Sequence, residues 1–180
     1  MRDARIHVVG ASSSGTTTLG GALAERLACL YLDTDTFFWE ATDPPFTTTR
    51  PVEERIDLME AQMEWRRSWV ISGSLISWGD VFIPRFDLVV FLHVPPEVRL
   101  ERLMRRERER YGAAIEPGGV MHEAHLAFIQ WARGYDQAGF PGRSLERHRD
   151  WLANLTCPVL EIDGTPRLDE SVERVLASAG

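Results

Sequence analysis

Lysine is absent from all 180 residues, so each of the 20 basic side chains is an arginine. Every such cation is therefore a planar guanidinium that keeps its charge at any working pH. Cysteine is scarce as well. Cys29 and Cys157 are the whole complement, too few for a disulfide framework or a cysteine zinc site. Cys29 follows a helical run and Cys157 precedes a strand, so both read as buried thiols of a reducing compartment. No long apolar stretch follows the charges at Arg2, Asp3 and Arg5, which argues against a signal peptide and a membrane span. The net charge is −7, which disfavours a non-specific nucleic-acid binder. The sequence carries no repeat and no low-complexity segment. What remains is a cytoplasmic protein whose 44% apolar and 26% charged content suits one domain with a full core.

Strand and helix signals alternate from end to end. β-rich or continuous apolar runs occupy residues 6–9, 30–32, 69–71, 87–92 and 159–162. Helical spacing covers residues 19–30 through Leu19, Leu23, Leu27 and Leu30, and residues 52–69 through Ile56, Met59 and Met63. Pro95-Pro96-Glu97 opens a further helix, and Thr165-Pro166 reads as the cap of the last. The alternation predicts an α/β fold, a doubly wound five-stranded parallel sheet forming one domain over residues 1–180. Glycines and prolines between Tyr111 and Gly119 break the pattern, and two helices near residues 120–134 and 144–155 follow. Residues 111–156 thus read as a helical lid insertion, and residues 36–68 as an acceptor-side segment. Ligands on such sheets bind beyond the C-terminal strand ends, so the residues there are the informative ones.

Gly10-Ala11-Ser12-Ser13-Ser14-Gly15-Thr16-Thr17 follows a strand and opens a helix, with Thr18 next. This is the phosphate-loop spacing: two glycines, four residues between them, and a terminal hydroxyl residue. The glycines let main-chain N–H groups wrap a phosphate at a helix N-terminus. Thr17 takes the magnesium-ligand position. Thr16 stands where the motif has lysine, the residue that brings positive charge to the transferring phosphate. Three readings follow: a Gly/Ser-rich turn without ligand, a nucleotide binder that has lost catalysis, or an enzyme whose missing cation is an arginine. The helix after the fourth strand carries Arg99, Arg102, Arg105, Arg106, Arg108 and Arg110. At 100° per residue, Arg99, Arg102, Arg106 and Arg110 lie within about 80° of one another. Arg102 and Arg106 stack on one face at four-residue spacing and are the preferred candidates. Arg105, Arg108 and Arg110 read as a solvated face, and Arg133, Arg143 and Arg147 as weaker candidates.

On these residues the chain resembles the nucleotide-kinase and shikimate-kinase group of P-loop kinases, over nearly its full length. Leu32-Asp33-Thr34-Asp35 is similar to the Asp-Thr-Asp element of shikimate kinases. The resemblance implies that Asp33 supports magnesium and that Asp35 orients or deprotonates the acceptor hydroxyl. The stretch from Val94 to Arg106 is similar to the adenylate-kinase helix that enters the lid, which implies phosphate contacts for Arg102 and Arg106. Ile162-Asp163-Gly164-Thr165 looks like the strand-end turn beside adenine. A likeness to adenylate-kinase-like, topology-modulation proteins runs through Asp33–Trp39 and Trp69–Ser74 and names no substrate.

The expected function is an ATP-dependent, magnesium-dependent kinase with a nucleotide or other small-molecule acceptor. The acceptor would meet Asp35, Ser72, Gly73, Ser74 and Arg85. Arg50, Arg55 and Asp80 are lesser candidates, and Trp39, Trp78 or Phe38 could stack on it. The competing expectation is a nucleotide-binding switch or weak hydrolase without an acceptor, and a more distant one is a structural domain. His122 and His125 are three apart rather than four, unlike a zinc-protease pair. His7 reads as a core histidine.

Overall fold

Strand β1 (Arg5–Gly10) has no face for water, and the architecture follows from covering both of its sides. The computed structural model describes residues 3–179. It sets β1 in the middle of a parallel sheet with β2 (Leu30–Asp33), β3 (Trp69–Ser72), β4 (Leu88–His93) and β5 (Val159–Asp163), in the order β2-β3-β1-β4-β5. Period-two alternation sends successive residues to opposite layers. Ile6, Val8, Val70 and Val90 meet Leu19 and Leu23 of α1 (Thr16–Leu27) and Val172 and Val175 of α7 (Leu168–Ser178). Val9, Ile71, Val89 and Phe91 meet Met59 and Met63 of α3 (Val52–Met63) and Trp151 and Leu152 of α6 (Leu145–Ala153). Fully burying each large side chain stabilises by about 1.5–3 kcal/mol, so both layers matter. The remaining helices are α2 (Thr34–Phe38), α4 (Pro96–Tyr111) and α5 (His122–Arg133). No helix among the described residues is long and apolar enough to cross a membrane.

The expected helix over residues 52–69 stops at Met63. Trp69 must enter β3 beside β1, where its N–H meets the Ala4 carbonyl at 3.0 Å. The chain therefore reverses through Trp65, whose φ is 66°, before β3 begins. Apolar spacing does not report such a turn. Thr165-Pro166 does not cap α7, which begins at Leu168 without a side-chain cap. The Thr165 N–H instead binds Asp163 Oδ1 at 2.8 Å, closing a turn after β5.

The segment expected to form one lid divides. The α4–α5 pair builds a small core of its own around Leu103, Ile129 and Ala132. Buried Arg99 joins the two helices, donating to the Ala132 carbonyl at 2.9 Å and to Asp136, with its plane 4.9 Å from the Tyr135 ring centre. By contrast, α6 belongs to the wall of the main sheet, because Trp151 and Leu152 are buried in its core.

Two histidines are sealed beneath the sheet. His7 Nε2 lies 2.9 Å from the Gly73 carbonyl, and His148 Nδ1 lies 2.6 Å from the Tyr135 hydroxyl. Burial lowers His7 from the ordinary 6.5 to about 4. Burial, with help from Arg143, lowers His148 to about 3. Both stay neutral in the folded state while the unfolded chain takes up their protons below pH 6.5. The contribution is therefore complete above pH 6.5 and declines as the pH falls toward the folded values. By pH 5 each histidine should cost about 2 kcal/mol of stability. Denaturant midpoints between pH 7 and pH 5 measure this, and His7→Phe should remove about half of the slope.

Candidate active site

Because all five strands run in parallel, their C-terminal ends meet at one edge. The chain leaves that edge through Gly10, Asp33, Gly73 and Gly164, around a cleft of about 1390 Å³. The expected phosphate loop forms its floor. Gly15 has φ 102° and Ser13 has φ 62°, and the Ser14 N–H closes on the Ala11 carbonyl at 3.1 Å. A Cβ on Gly10 would stand 2.6 Å from the Leu92 carbonyl and from Ser14 Oγ, so only glycine fits there. Helix α1 has no side-chain cap and no acidic residue in its first turn. Its leading N–H groups and the positive end of its dipole are thus open to an anion. Ser13 Oγ and Ser14 Oγ are buried without a protein partner among the described residues.

Beside the loop, Thr17 Oγ1 donates to Asp33 Oδ2 at 3.1 Å, and Asp33 Oδ1 accepts the Asp35 N–H at 3.0 Å. Asp33 is thereby the cap of α2 and the neighbour of Thr17 at once. One hydroxyl and one carboxylate suit magnesium, which keeps few protein ligands and completes its shell with phosphate and water. Asp35 opens into the cleft. The surrounding protein pushes its carboxyl above the usual range and Asp33 adds to the effect, while Arg143, Arg106 and Arg110 oppose it.

Arg102 and Arg106, paired by helical spacing, have different surroundings. Arg102 donates to the Gly164 carbonyl from both terminal nitrogens at 3.1 Å, and to the Ser14 carbonyl at 3.4 Å. It ties the phosphate loop to the turn after β5. Among the described residues, Arg106 makes only a 3.5 Å contact with Glu107, and its Nε is buried without a partner. Arg143 Nε is buried without a partner too, and its guanidinium lies 5.2 Å from the Trp131 ring centre. Arg105 and Arg110, read as solvated, both line the cleft, as do Arg143 and Arg147. A single helical wheel cannot show that the neighbouring wall folds over that face.

The acceptor-side expectations divide likewise. Gly73 and Ser74 line the cleft. Gly73 has φ 103°, and a Cβ there would collide with Thr34 Oγ1. Ser72 does not line it: its hydroxyl is buried beneath α1, 2.7 Å from the Tyr31 hydroxyl. Arg85 is at the other end of the sheet, 3.6 Å from Glu60, in a depression shared with Arg5, Arg66 and Arg67. It ends a 3₁₀ segment (Asp80–Arg85) before β4 begins, so chain direction carries it away from the ligand edge. Asp80 accepts the Trp151 Nε1–H at 2.9 Å and does not line the cleft either. Of the strand-end turn, Gly164 lines the cleft while Asp163 and Thr165 bond each other outside it.

A second wall of the cleft is aromatic. Phe38 packs edge-on against Trp39 at 4.9 Å and Trp78 at 6.5 Å, and Trp39 against Phe46 at 6.1 Å. The Arg55 guanidinium lies 4.0 Å from the Phe38 ring centre, held by its Nε bond to the Arg50 carbonyl at 2.6 Å. Arg50 is itself occupied by the carbonyls of Phe37 and Trp39, so Arg55 rather than Arg50 faces the cleft. Arg55 had a weak signal in sequence, and Arg110, though on the helical face of Arg102 and Arg106, was read as solvated.

A phosphate loop on a five-stranded parallel sheet flanked by helices is the P-loop kinase fold. The shikimate kinase of Bacteroides thetaiotaomicron shares it, with a TM-score of 0.57 over 97% of both chains at 21% identity. Residues 6–123, well over half of the chain, match the AAA domain family, and the chain belongs to that family. The uncharacterized protein YqaC of Bacillus subtilis is 44% identical over 171 residues, covering 95% of this chain and 94% of YqaC. A cytidylate kinase of Ignicoccus hospitalis is 27% identical over 151 residues, covering 78% of this chain and 84% of that enzyme.

The tether by Arg102 makes a measurable demand. Arg102→Ala should lower unfolding free energy by about 1–2 kcal/mol, the scale of charge-assisted bonds at a partly exposed site. Arg102→Lys should not restore it, since an ammonium cannot span both carbonyls. Urea denaturation of the three proteins gives the comparison.

Proposed function

We propose that this chain is an ATP-dependent phosphotransferase acting on a small acceptor that carries a flat or apolar body and an anionic group. One observation supports this most. Among the described residues, the buried polar atoms without protein partners include Ser13 Oγ, Ser14 Oγ, Arg106 Nε, His125 Nδ1 and Arg143 Nε, and all five belong to residues lining the cleft. A buried donor left unpaired costs about 1–3 kcal/mol, so their concentration here points to a ligand that completes them.

In this reading the loop from Gly10 to Thr18 holds the triphosphate through main-chain N–H groups. Arg102 and Gly164, in the turn that the Asp163–Thr165 bond closes, bound the base side. Magnesium held by Thr17 and Asp33 would neutralise phosphate charge. Asp35 orients the acceptor hydroxyl and takes its proton as the oxygen attacks the terminal phosphorus. The bond from that phosphorus to the β-phosphate oxygen breaks, and the diphosphate leaves. The raised carboxyl of Asp35 suits a group that receives a proton. Arg106, with Arg143 and Arg110 beside Asp35, supplies the charge that Thr16 cannot. The α4–α5 arm serves as a lid that excludes water. The aromatic wall and Arg55 receive the acceptor body. The similarity to cytidylate kinases makes nucleoside monophosphates the first acceptors to try.

Thr16 favours a second reading, a nucleotide-binding switch or weak hydrolase. ADP release from Mg·ATP, with and without nucleoside monophosphates and small hydroxy acids, separates the two. At least a tenfold acceptor-dependent rise is expected for a kinase, and saturable ATP binding with no acceptor effect would establish the switch. In the active assay Arg106→Ala should cut turnover by about 10²-fold or more. An unchanged rate would remove Arg106 from its role.

A further inference from the structure

Three carboxylates line the cleft among the described residues: Asp33, Asp35 and Glu107. The first two belong to the Thr17 and acceptor positions. Glu107 stands on α4, beside arginines that line the same cleft. We propose that Glu107 is the positioning residue for Arg106, holding one end of its guanidinium so that Nε is presented to the terminal phosphate of the nucleotide. The proposal rests on the reading that Mg·ATP fills the phosphate loop.

A carboxylate repels a triphosphate, so its place in this cleft has to be explained through a cation. Glu107 is buried one helical turn after Leu103, which is fully buried in the α4–α5 core. Burying such a charge is costly unless cations answer it. Two groups flank it: Arg106 Nη2 lies 3.5 Å from Oε1, and His125 Nδ1 of α5 lies 3.8 Å from Oε2. The arginine is the informative partner. Successive helix residues point about 100° apart and do not face each other. Arg106 therefore reaches Glu107 only by curling its side chain round α4, and attraction to the carboxylate accounts for that direction. With this end engaged, Nε is left buried and without a partner among the described residues. Arg106 is also close enough to Asp35 to favour its charged form, so the held guanidinium is near the site of phosphoryl transfer. The His125 contact is too long for a hydrogen bond, and Nδ1 is buried without a partner among the described residues. Closing α5 onto α4 by under about 1 Å would complete it, which couples the aim of Arg106 to the seating of the arm.

A double-mutant cycle separates aiming from mere support of the arm. E107Q keeps the shape and removes the charge, while E107L removes the acceptor as well and suits the apolar neighbours. Acceptor-dependent ADP release is measured for each, for R106A and for the double variants, with urea midpoints alongside. We expect kcat to fall at least about tenfold in E107L, with E107Q between it and the wild type. KM for ATP and acceptor should stay within about twofold, and neither change should lower kcat further once Arg106 is alanine. An unchanged kcat in E107L, or an equal proportional loss with and without Arg106, overturns the proposal. Where E107L fails to fold, E107Q carries the same cycle. If no acceptor is turned over, the kinase reading fails on its own, and the cycle is read in Mg·ATP affinity by calorimetry. Coupled losses then support the aiming of Arg106, and independent or absent losses overturn it.

Discussion

The structure depends on one constraint: β1 is paired in parallel on both sides and buried on both faces. A strand so enclosed has only its two ends to offer solvent. Its C-terminal end must therefore carry the turn where the chain escapes, and that turn is the glycine loop. The neighbouring strands share its direction, so Asp33, Gly73 and Gly164 arrive at the same edge without any contact of their own to bring them there. The close approach of Gly10 to the Leu92 carbonyl follows from the same registry. Packing gathers these strand ends at one edge, around the cleft, before any polar interaction is considered.

Charge then distributes around that edge in an unusual currency. With guanidinium as the chain's cationic group apart from histidine, positive charge comes on a long planar side chain that reaches from a distance rather than on a compact ammonium. The cleft accordingly draws its arginines from several elements: Arg55 from α3, Arg102, Arg106 and Arg110 from α4, Arg143 from the loop before α6. Some are structural, as Arg102 is between two carbonyls. Others have donors with nothing to bond. The distinction between a tether and an open donor is what separates a residue that shapes the cleft from one suited to a ligand.

Much of this was legible in the residues. Apolar runs alternating with helical spacing identify five parallel strands, and all five occur where the runs are; β1, β3 and β4 are apolar because both their faces are covered, while edge strand β5 keeps Val159, Glu161 and Asp163 exposed. The loop from Gly10 to Thr17 and the Asp33–Asp35 element are local motifs, and local geometry is what short sequence patterns encode. Helix ends were less readable, since the turn at Trp65 serves the entry of Trp69 into the sheet and not any preference of its own. The role of α6 was hidden for a related reason: its amphipathic face suits a lid or a sheet equally well until a partner surface exists.

The sequence by itself determined the sheet, the phosphate loop beneath its edge and the exclusive use of guanidinium as the strong cation, because each is written in composition or in spacing along one element. Only the tertiary structure decided which arginines face the cleft, that Ser72 lies under α1, and that Arg85 belongs to the opposite edge. Those outcomes depend on which side of the sheet a crossover takes and where a neighbouring wall closes over a helix. Such distances join residues far apart in the chain, and no periodicity records them.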